Sequence, residues 1–317
     1  MNKLKEPLII LAGPTAVGKT GLSVKLAKAA GCEIISADSM QVYRHMDIGS
    51  AKIRPEEMEG VPHHLIDCLD VDEEFNVVRF QQMARAAIKE IQGRGKIPLL
   101  VGGTGFYIQA VAWDIDFEEN PQDDSIRRRL EEMARCQGAE ALHQMLAQRD
   151  PASAKAIHPN NVKRVIRALE YYEQTGSPIS AHNQEQKSRP SPYQLAYFVL
   201  NDDRPRLYQR IDARVDRMLE EGLVEEVKQL KEMGCHRGMV SMQGLGYKEI
   251  LDYLEGRMSL EEAVYTLKRD TRHFAKRQLT WFKRERMTEW YSWPDYDDDQ
   301  EKILEAMLAS LRQKEIL

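Results

Sequence analysis

Leu8-Ile9-Ile10-Leu11-Ala12 runs directly into Gly13-Pro14-Thr15-Ala16-Val17-Gly18-Lys19-Thr20. The apolar run reads as a buried parallel strand. A helical pattern follows from about Thr20 to Ala30 and stops at Gly31. The turn between them fits G-x-x-x-x-G-K-[ST] in the context that pattern requires, after a strand and before a helix. Its glycines let the chain wrap a diphosphate closely, while successive backbone N–H groups and the helix N-terminus supply donors and positive potential. Gly13, Pro14, Thr15, Ala16, Val17 and Gly18 therefore form the expected cradle, with Lys19 as the point charge for the outer phosphate. Thr20 is the candidate ligand for Mg²⁺, the expected cofactor. A chance Gly-rich turn would carry the glycines without the flanking strand and helix.

Outward from this turn, Glu33 to Ser36 is a second strand candidate, leading into Ala37-Asp38-Ser39. Val77 to Gln92 has helical periodicity, closed by Gly93 and Gly95, and Ile97 to Val101 is an apolar strand ending in Gly102-Gly103-Thr104-Gly105. Phe106 to Ala112 restarts as helix. Strands alternating with helices imply a P-loop NTPase-like α/β core, a parallel sheet with helices on both faces. From about Asp116 to Pro192 the chain turns polar and helical, with breaks at Asn120-Pro121, Asp150-Pro151, His158-Pro159 and Gly176-Ser177-Pro178. Strand pattern returns at Leu195 to Leu200, and after 204 the chain reads as mostly helical. The expected division is a core over 1–115 and 193–317, interrupted by an inserted all-helical domain over 116–192. No internal repeat is visible.

An ordinary P-loop NTPase ends a later strand in an acidic residue that helps hold Mg²⁺. Here that strand ends in Gly102-Gly103-Thr104, and the nearest well-placed carboxylate is Asp38, at the end of the second strand. The carboxyl ends of neighbouring parallel strands share one crevice, so Asp38 should face the phosphate turn. Asp38 is thus the candidate general base, against the plainer reading of a turn or N-cap carboxylate.

Net charge is −5, which alone argues against a nucleic-acid partner, but the charges are segregated. Lys268 to Arg286 holds eight Lys/Arg, and an acidic run follows over 295–301. Local patches, not the sum, govern association with a polyanion. Arg127-Arg128-Arg129 and the pair Lys163 and Arg167, one turn apart, form two further basic groupings. Phe274, Trp281 and Phe282, interleaved with the third, read better as an apolar core stripe than as stacking platforms. Three basic groupings beside a phosphate site favour an RNA backbone over a merely solvated surface. The four cysteines are scattered without a CxxC pair, so reduced thiols and a cytoplasmic location are expected. No stretch approaches the ~20 apolar residues of a membrane span. No coiled-coil seam is present, and a monomer is expected.

These strings together resemble the tRNA dimethylallyltransferases, or tRNA isopentenyltransferases, over about Pro7 to Trp293. The resemblance rests on residues 13–20, Ile35 to Tyr43, Met46 to Lys52, Val101 to Thr104, His158-Pro159-Asn160 with Arg164 and Arg167, Arg214 to Met218, Gly244 to Lys248, and Ala275 to Trp281. It implies transfer of a dimethylallyl group from its diphosphate to N6 of the adenine 3′ of the anticodon, position 37 of tRNA. By the same resemblance Asp38 acts as base, while Thr104 and Arg214, with Lys19, Thr20 and Mg²⁺, stabilise the departing diphosphate. The family's tRNA-contacting segments fall here on Asp38, Ser39, Met40 and Gln41; on Arg127; on Lys163, Arg164, Val165, Ile166 and Arg167; and on Gln243, Gly244, Leu245, Gly246, Tyr247 and Lys248. The inserted domain would grip the anticodon stem-loop. The zinc finger often appended to eukaryotic relatives has no counterpart in the cysteine spacing, so the chain looks like the short bacterial form. Two rivals remain. An ATP-dependent small-molecule or nucleoside kinase leaves the basic helices without a role, and an RNA-binding protein without chemistry leaves Asp38 and Arg214 unexplained.

Overall fold

The computed structural model describes residues 5–117 and 125–317; the expected break at Asn120-Pro121 lies outside them. The chain begins with β1 (Pro7–Ala12), α1 (Lys19–Ala30), β2 (Cys32–Ala37) and β3 (His63–His64), then α2 (Val77–Gly93), β4 (Ile97–Gly102) and α3 (Gly105–Ala112). Four helices follow: α4 (Ser125–Arg149), α5 (Pro151–Ala156), α6 (Val162–Thr175) and α7 (Ile179–Ser188). The chain then forms β5 (Gln194–Asn201), α8 (Arg204–Glu220), α9 (Leu223–Glu232), α10 (Tyr247–Leu254), α11 (Leu260–Phe282), β6 (Thr288–Ser292) and α12 (Gln300–Gln313). Two compact units result, Met1–Ala112 with Ser191–Leu317, and Trp113–Pro190.

In the first unit the six strands run in the order β3-β2-β4-β1-β5-β6, all parallel. The central strand β1 is buried along nearly its whole length, as is β2. That requires cover on both faces and explains the continuous apolar run of β1, whereas β2 buries Glu33 and Ser36, Glu33 being paired with Arg94 at 2.6 Å. On one face Ile9, Leu11, Ile34, Leu99 and Phe198 pack with Leu22 and Leu26 of α1 and Ile303 and Met307 of α12. On the other, α2 lies against β2 and β4. Asn76 caps α2 by accepting from the N–H groups of Val78 and Arg79, both at 3.0 Å.

Two strands depart from the expected pattern. β3 is only two residues long, and β6 falls where the chain reads as helical. β6 is a sheet edge, with Trp290 exposed and Tyr291 buried, so it lacks the apolar run that marks a central strand.

The second unit is helical and has its own core of Leu130, Leu142, Leu146, Val165, Ile166 and Leu169. Its expected breaks have local causes. Asp150 caps α5, its carboxylate accepting from Ser153 N–H at 2.9 Å, with Pro151 in the first turn, where a missing N–H costs nothing. Gly176 ends α6 at φ 72°. Within α4, Gly138 at φ 87° and ψ 165° interrupts the helix, a backbone state that favours glycine.

Candidate active site at the carboxyl edge of the sheet

Strand register sets the site. Ala12 pairs with Gly102, and Gly102 with Ala37, so the next residues on the three strands, Gly13, Gly103 and Asp38, lie side by side at the carboxyl edge. The approach is close: a Cβ on Gly102 would fall 2.3 Å from Ala37 O, and one on Gly13 2.5 Å from Leu200 O.

The phosphate turn closes tightly. Gly18 stands at φ 98° before α1, and Ala16 holds φ 62°, a left-handed state uncommon for a residue with a Cβ. α1 starts with no side-chain cap and no acidic residue in its first turn, so its leading N–H groups are left for an anion. Lys19 Nζ folds over the turn, donating to Gly13 O at 2.9 Å and Pro14 O at 2.7 Å. Burial, then the nearby Arg214 charge, lowers its pKa to about 7, against a smaller upward pull from Asp38. Burial also lowers the Arg214 pKa, with Asp38 opposing. Asp38, Lys19 and Arg214, all half-buried, therefore lie close enough to act on one another's charge.

Asp38 is half-buried, and its Oδ1 accepts from the N–H groups of Met40 at 2.8 Å and Gln41 at 3.4 Å. No described residue donates to Oδ2. The turn-capping and chemical readings are thus compatible, each served by a different oxygen. Thr104 is half-buried beside it, its N–H donating to Ala37 O at 3.4 Å. Thr20 is exposed at the start of α1. No cluster of three or more His, Cys, Asp or Glu able to hold a metal occurs among the described residues. The single Thr20 hydroxyl, a hard oxygen donor, nevertheless suits Mg²⁺, which keeps most of its waters and binds through one or two protein oxygens plus substrate phosphates.

The segments expected to meet tRNA separate into two groups. In the first unit Met40 packs against Gly244, where a Cβ would fall 2.7 Å from Met40 Sδ. Gln41 is tied inward, accepting from Ser36 Oγ at 3.0 Å. Tyr247 is fully buried, its hydroxyl donating to Glu226 at 2.9 Å and accepting from Ser50 N–H at 3.0 Å. Its side chain organises the loop rather than facing a ligand. Gln243 is exposed, and Lys248 and Leu245 are half-buried.

In the second unit Lys163 and Arg164 are exposed, whereas Val165 and Ile166 belong to that unit's core and have no side-chain surface to offer RNA. Arg167 and Arg127 both reach the buried Glu170, at 3.4 and 3.0 Å, so they offset an internal charge. In the third basic grouping Lys268 pairs with Asp216 and Arg272 with Asp212, both at 2.5 Å, while Lys276 and Lys283 are exposed without an ion pair among the described residues. Phe282 is buried, and Phe274 and Trp281 are half-buried.

Three residues near the site carry no role that the sequence discloses. Gln278 contacts both strand-end turns. Trp293 donates from Nε1 to Val17 O at 2.7 Å and packs under Gly18. Glu226 accepts the N–H groups of Asp47, Ile48 and Gly49 at 2.9, 2.7 and 3.0 Å. No local sequence signal marks Glu226; Gln278 lies inside the string Ala275 to Trp281, whose residue types say nothing of its work.

Fold and site define a parallel α/β protein with a phosphate turn between its central strand and first helix, and a carboxylate on the strand end two places away. The family model described as IPP transferase matches residues 41–285. The tRNA dimethylallyltransferase of Lachnoclostridium phytofermentans is 64% identical over 98% of this chain and 99% of its own length. The full-length tRNA isopentenylpyrophosphate transferase of Bacillus halodurans superposes with TM-score 0.74 at 48% identity, covering 98% of both chains. A eukaryotic dimethylallyltransferase acting on tRNA superposes with TM-score 0.76 at 35% identity, over 87% of this chain and 69% of its own. The chain belongs to the IPP transferase family and is a transferase.

Proposed function

We propose that this protein modifies tRNA, moving the dimethylallyl group of dimethylallyl diphosphate to N6 of the adenine 3′ of the anticodon, position 37, with release of diphosphate. The observation that carries the reading is the adjacency of Gly13, Gly103 and Asp38, which sets a phosphate turn and a carboxylate at one strand edge.

Ionisation of an allylic diphosphate becomes easy once charge on the leaving group is neutralised. Lys19 and Arg214 supply that charge, the uncapped start of α1 supplies N–H donors, and Thr104 a hydroxyl. Mg²⁺ held at Thr20 would add Lewis-acid neutralisation of the diphosphate oxygens. Adenine N6 is a weak nucleophile, so Asp38 Oδ2 accepts its proton as the carbon–nitrogen bond forms and the carbon–oxygen bond to diphosphate breaks. The base must leave the anticodon-loop stack to reach this edge. Exposed Lys163 and Arg164, with the loops at 38–41 and 243–248, serve as the RNA-facing groups. The protein acts as a cytoplasmic monomer in this reading, and no helix among the described residues is long and apolar enough to cross a membrane.

The test is incubation with labelled dimethylallyl diphosphate and unmodified tRNA, beside a parallel reaction with ATP. Label should move into tRNA at one adenine, with no ATP consumed. Phosphate transfer from ATP without label in tRNA would favour a kinase and overturn the reading.

A further inference from the structure

The turns after β1 and β4 are joined by one side chain from a distant part of the sequence. Gln278, on α11 and only 6% exposed, accepts from Thr15 N–H at 2.9 Å through Oε1 and donates through Nε2 to Gly103 O at 2.9 Å. Both ends of the amide are used, and a flipped amide would set donor against donor and acceptor against acceptor. The fit is close, because a Cβ on Gly103 would fall 2.3 Å from Gln278 Nε2. One residue on, Thr104 donates its N–H to Ala37 O, immediately before Asp38. A continuous polar path therefore runs from Thr15 through Gln278 and Gly103–Thr104 to Ala37–Asp38. The same helix is tied to α8, where Asp212 and Asp216 flank Arg214 and receive Arg272 and Lys268.

We propose that Gln278 is a positioning residue that fixes the spacing between the phosphate turn and the Asp38 strand end, and with it the alignment of the allylic carbon against the attacking nitrogen. The proposal rests on the dimethylallyl-transfer reading above. Both polar ends of Gln278 are committed to backbone groups, so it acts through the two turns it joins. It holds one N–H of the phosphate turn away from the ligand and uses it to set the frame.

Two variants test this. Gln278→Met keeps the volume and removes both hydrogen bonds. Gln278→Glu keeps the acceptor for Thr15 but turns a carboxylate toward the Gly103 carbonyl, and only its protonated form restores donation there. For Gln278→Met, single-turnover transfer at saturating substrates should fall about 10–100-fold, the penalty of roughly 1 Å of misplacement. Affinities for dimethylallyl diphosphate and tRNA should change by less than about threefold, since the groups that bind each substrate remain. For Gln278→Glu, the rate relative to wild type should recover as pH falls through the raised pKa of a buried carboxyl facing a carbonyl. A wild-type rate in the Met variant, diphosphate affinity falling in step with rate, or a Glu profile parallel to wild type would each overturn the proposal.

Absence of transfer by the wild-type protein would instead sink the dimethylallyl reading, and hydrogen exchange then reads the bridge directly. The Met variant should exchange faster across residues 13–18 and 102–105, with α1 and β1 unchanged. Unchanged exchange in both turns overturns the proposal whatever the activity.

Discussion

Asp38 divides its carboxylate between two tasks. Oδ1 receives the N–H groups of Met40 and Gln41, which holds the side chain in one orientation, and Oδ2 is left for a proton. Asp38→Asn keeps the Oδ1 acceptor and hence the turn, so the fold should survive. Single-turnover transfer should nevertheless drop about 10²–10⁴-fold, the range general-base catalysis supplies. Recovery of the wild-type rate at high Mg²⁺ would make Asp38 a metal ligand instead. Lys19 yields a pH prediction. Its folded pKa of about 7 lies below the ordinary 10.5, so above pH 7 the ligand-free amine is increasingly neutral. Diphosphate favours the charged form, and binding at pH 8 should therefore take up a proton, visible by calorimetry in two buffers of different ionisation enthalpy. The unfolded chain binds the extra proton between about 7 and 10.5, so this residue makes ligand-free stability rise with pH across that window. Lys19→Ala should abolish the proton uptake and that part of the slope; uptake persisting in Lys19→Ala would place the titration elsewhere.

Along α6, residues one turn apart have different work. Arg164 faces outward, whereas Arg167 lies against Glu170, which is 1% exposed and also receives Arg127. Arg164→Glu should weaken tRNA binding and leave diphosphate affinity intact. The plot of log affinity against log salt should flatten by roughly 0.7–0.9 for each RNA phosphate the variant no longer neutralises. Arg167→Glu should instead set two carboxylates together one turn apart and destabilise the helical unit, although Glu170 keeps Arg127 as a partner. Thermal melts of the two variants separate these outcomes. An Arg164→Glu protein with an unchanged salt slope would remove that residue from the RNA interface. On α11 and just past its end the same division recurs, with Lys268 and Arg272 paired to α8, and Lys276 and the C-cap residue Lys283 exposed.

The sheet is assembled from both sides of the insertion. β1 lies between β4, which precedes the helical unit in sequence, and β5, which follows it. No fragment ending near residue 112 can complete this sheet. The helical unit, by contrast, has its own core. Replacing residues 114–190 with a short Gly/Ser linker should therefore leave a cooperatively melting α/β unit that binds dimethylallyl diphosphate within a few-fold of the parent and transfers nothing to tRNA. Retained transfer would show that the helical unit is dispensable for RNA capture.

From the amino-acid order alone came the phosphate turn, the parallel α/β class, the carboxylate on the second strand and the helical stretch between the two parts of the sheet. Each rests on a local signal: an apolar run, a glycine spacing, or a change of period. Only the tertiary structure decided which basic residues offset internal charge, as Arg167 and Arg127 do at Glu170, and which remain exposed. It also supplied β6, an edge strand too polar to stand out, and set Gln278, Trp293 and Glu226 against backbone groups distant in the chain. Such contacts join side chains to N–H and C=O groups that nearly every residue carries, so no pattern of residue types encodes them. They exist because a parallel sheet brings strand ends together, and helices far along the chain then close over the turns between them.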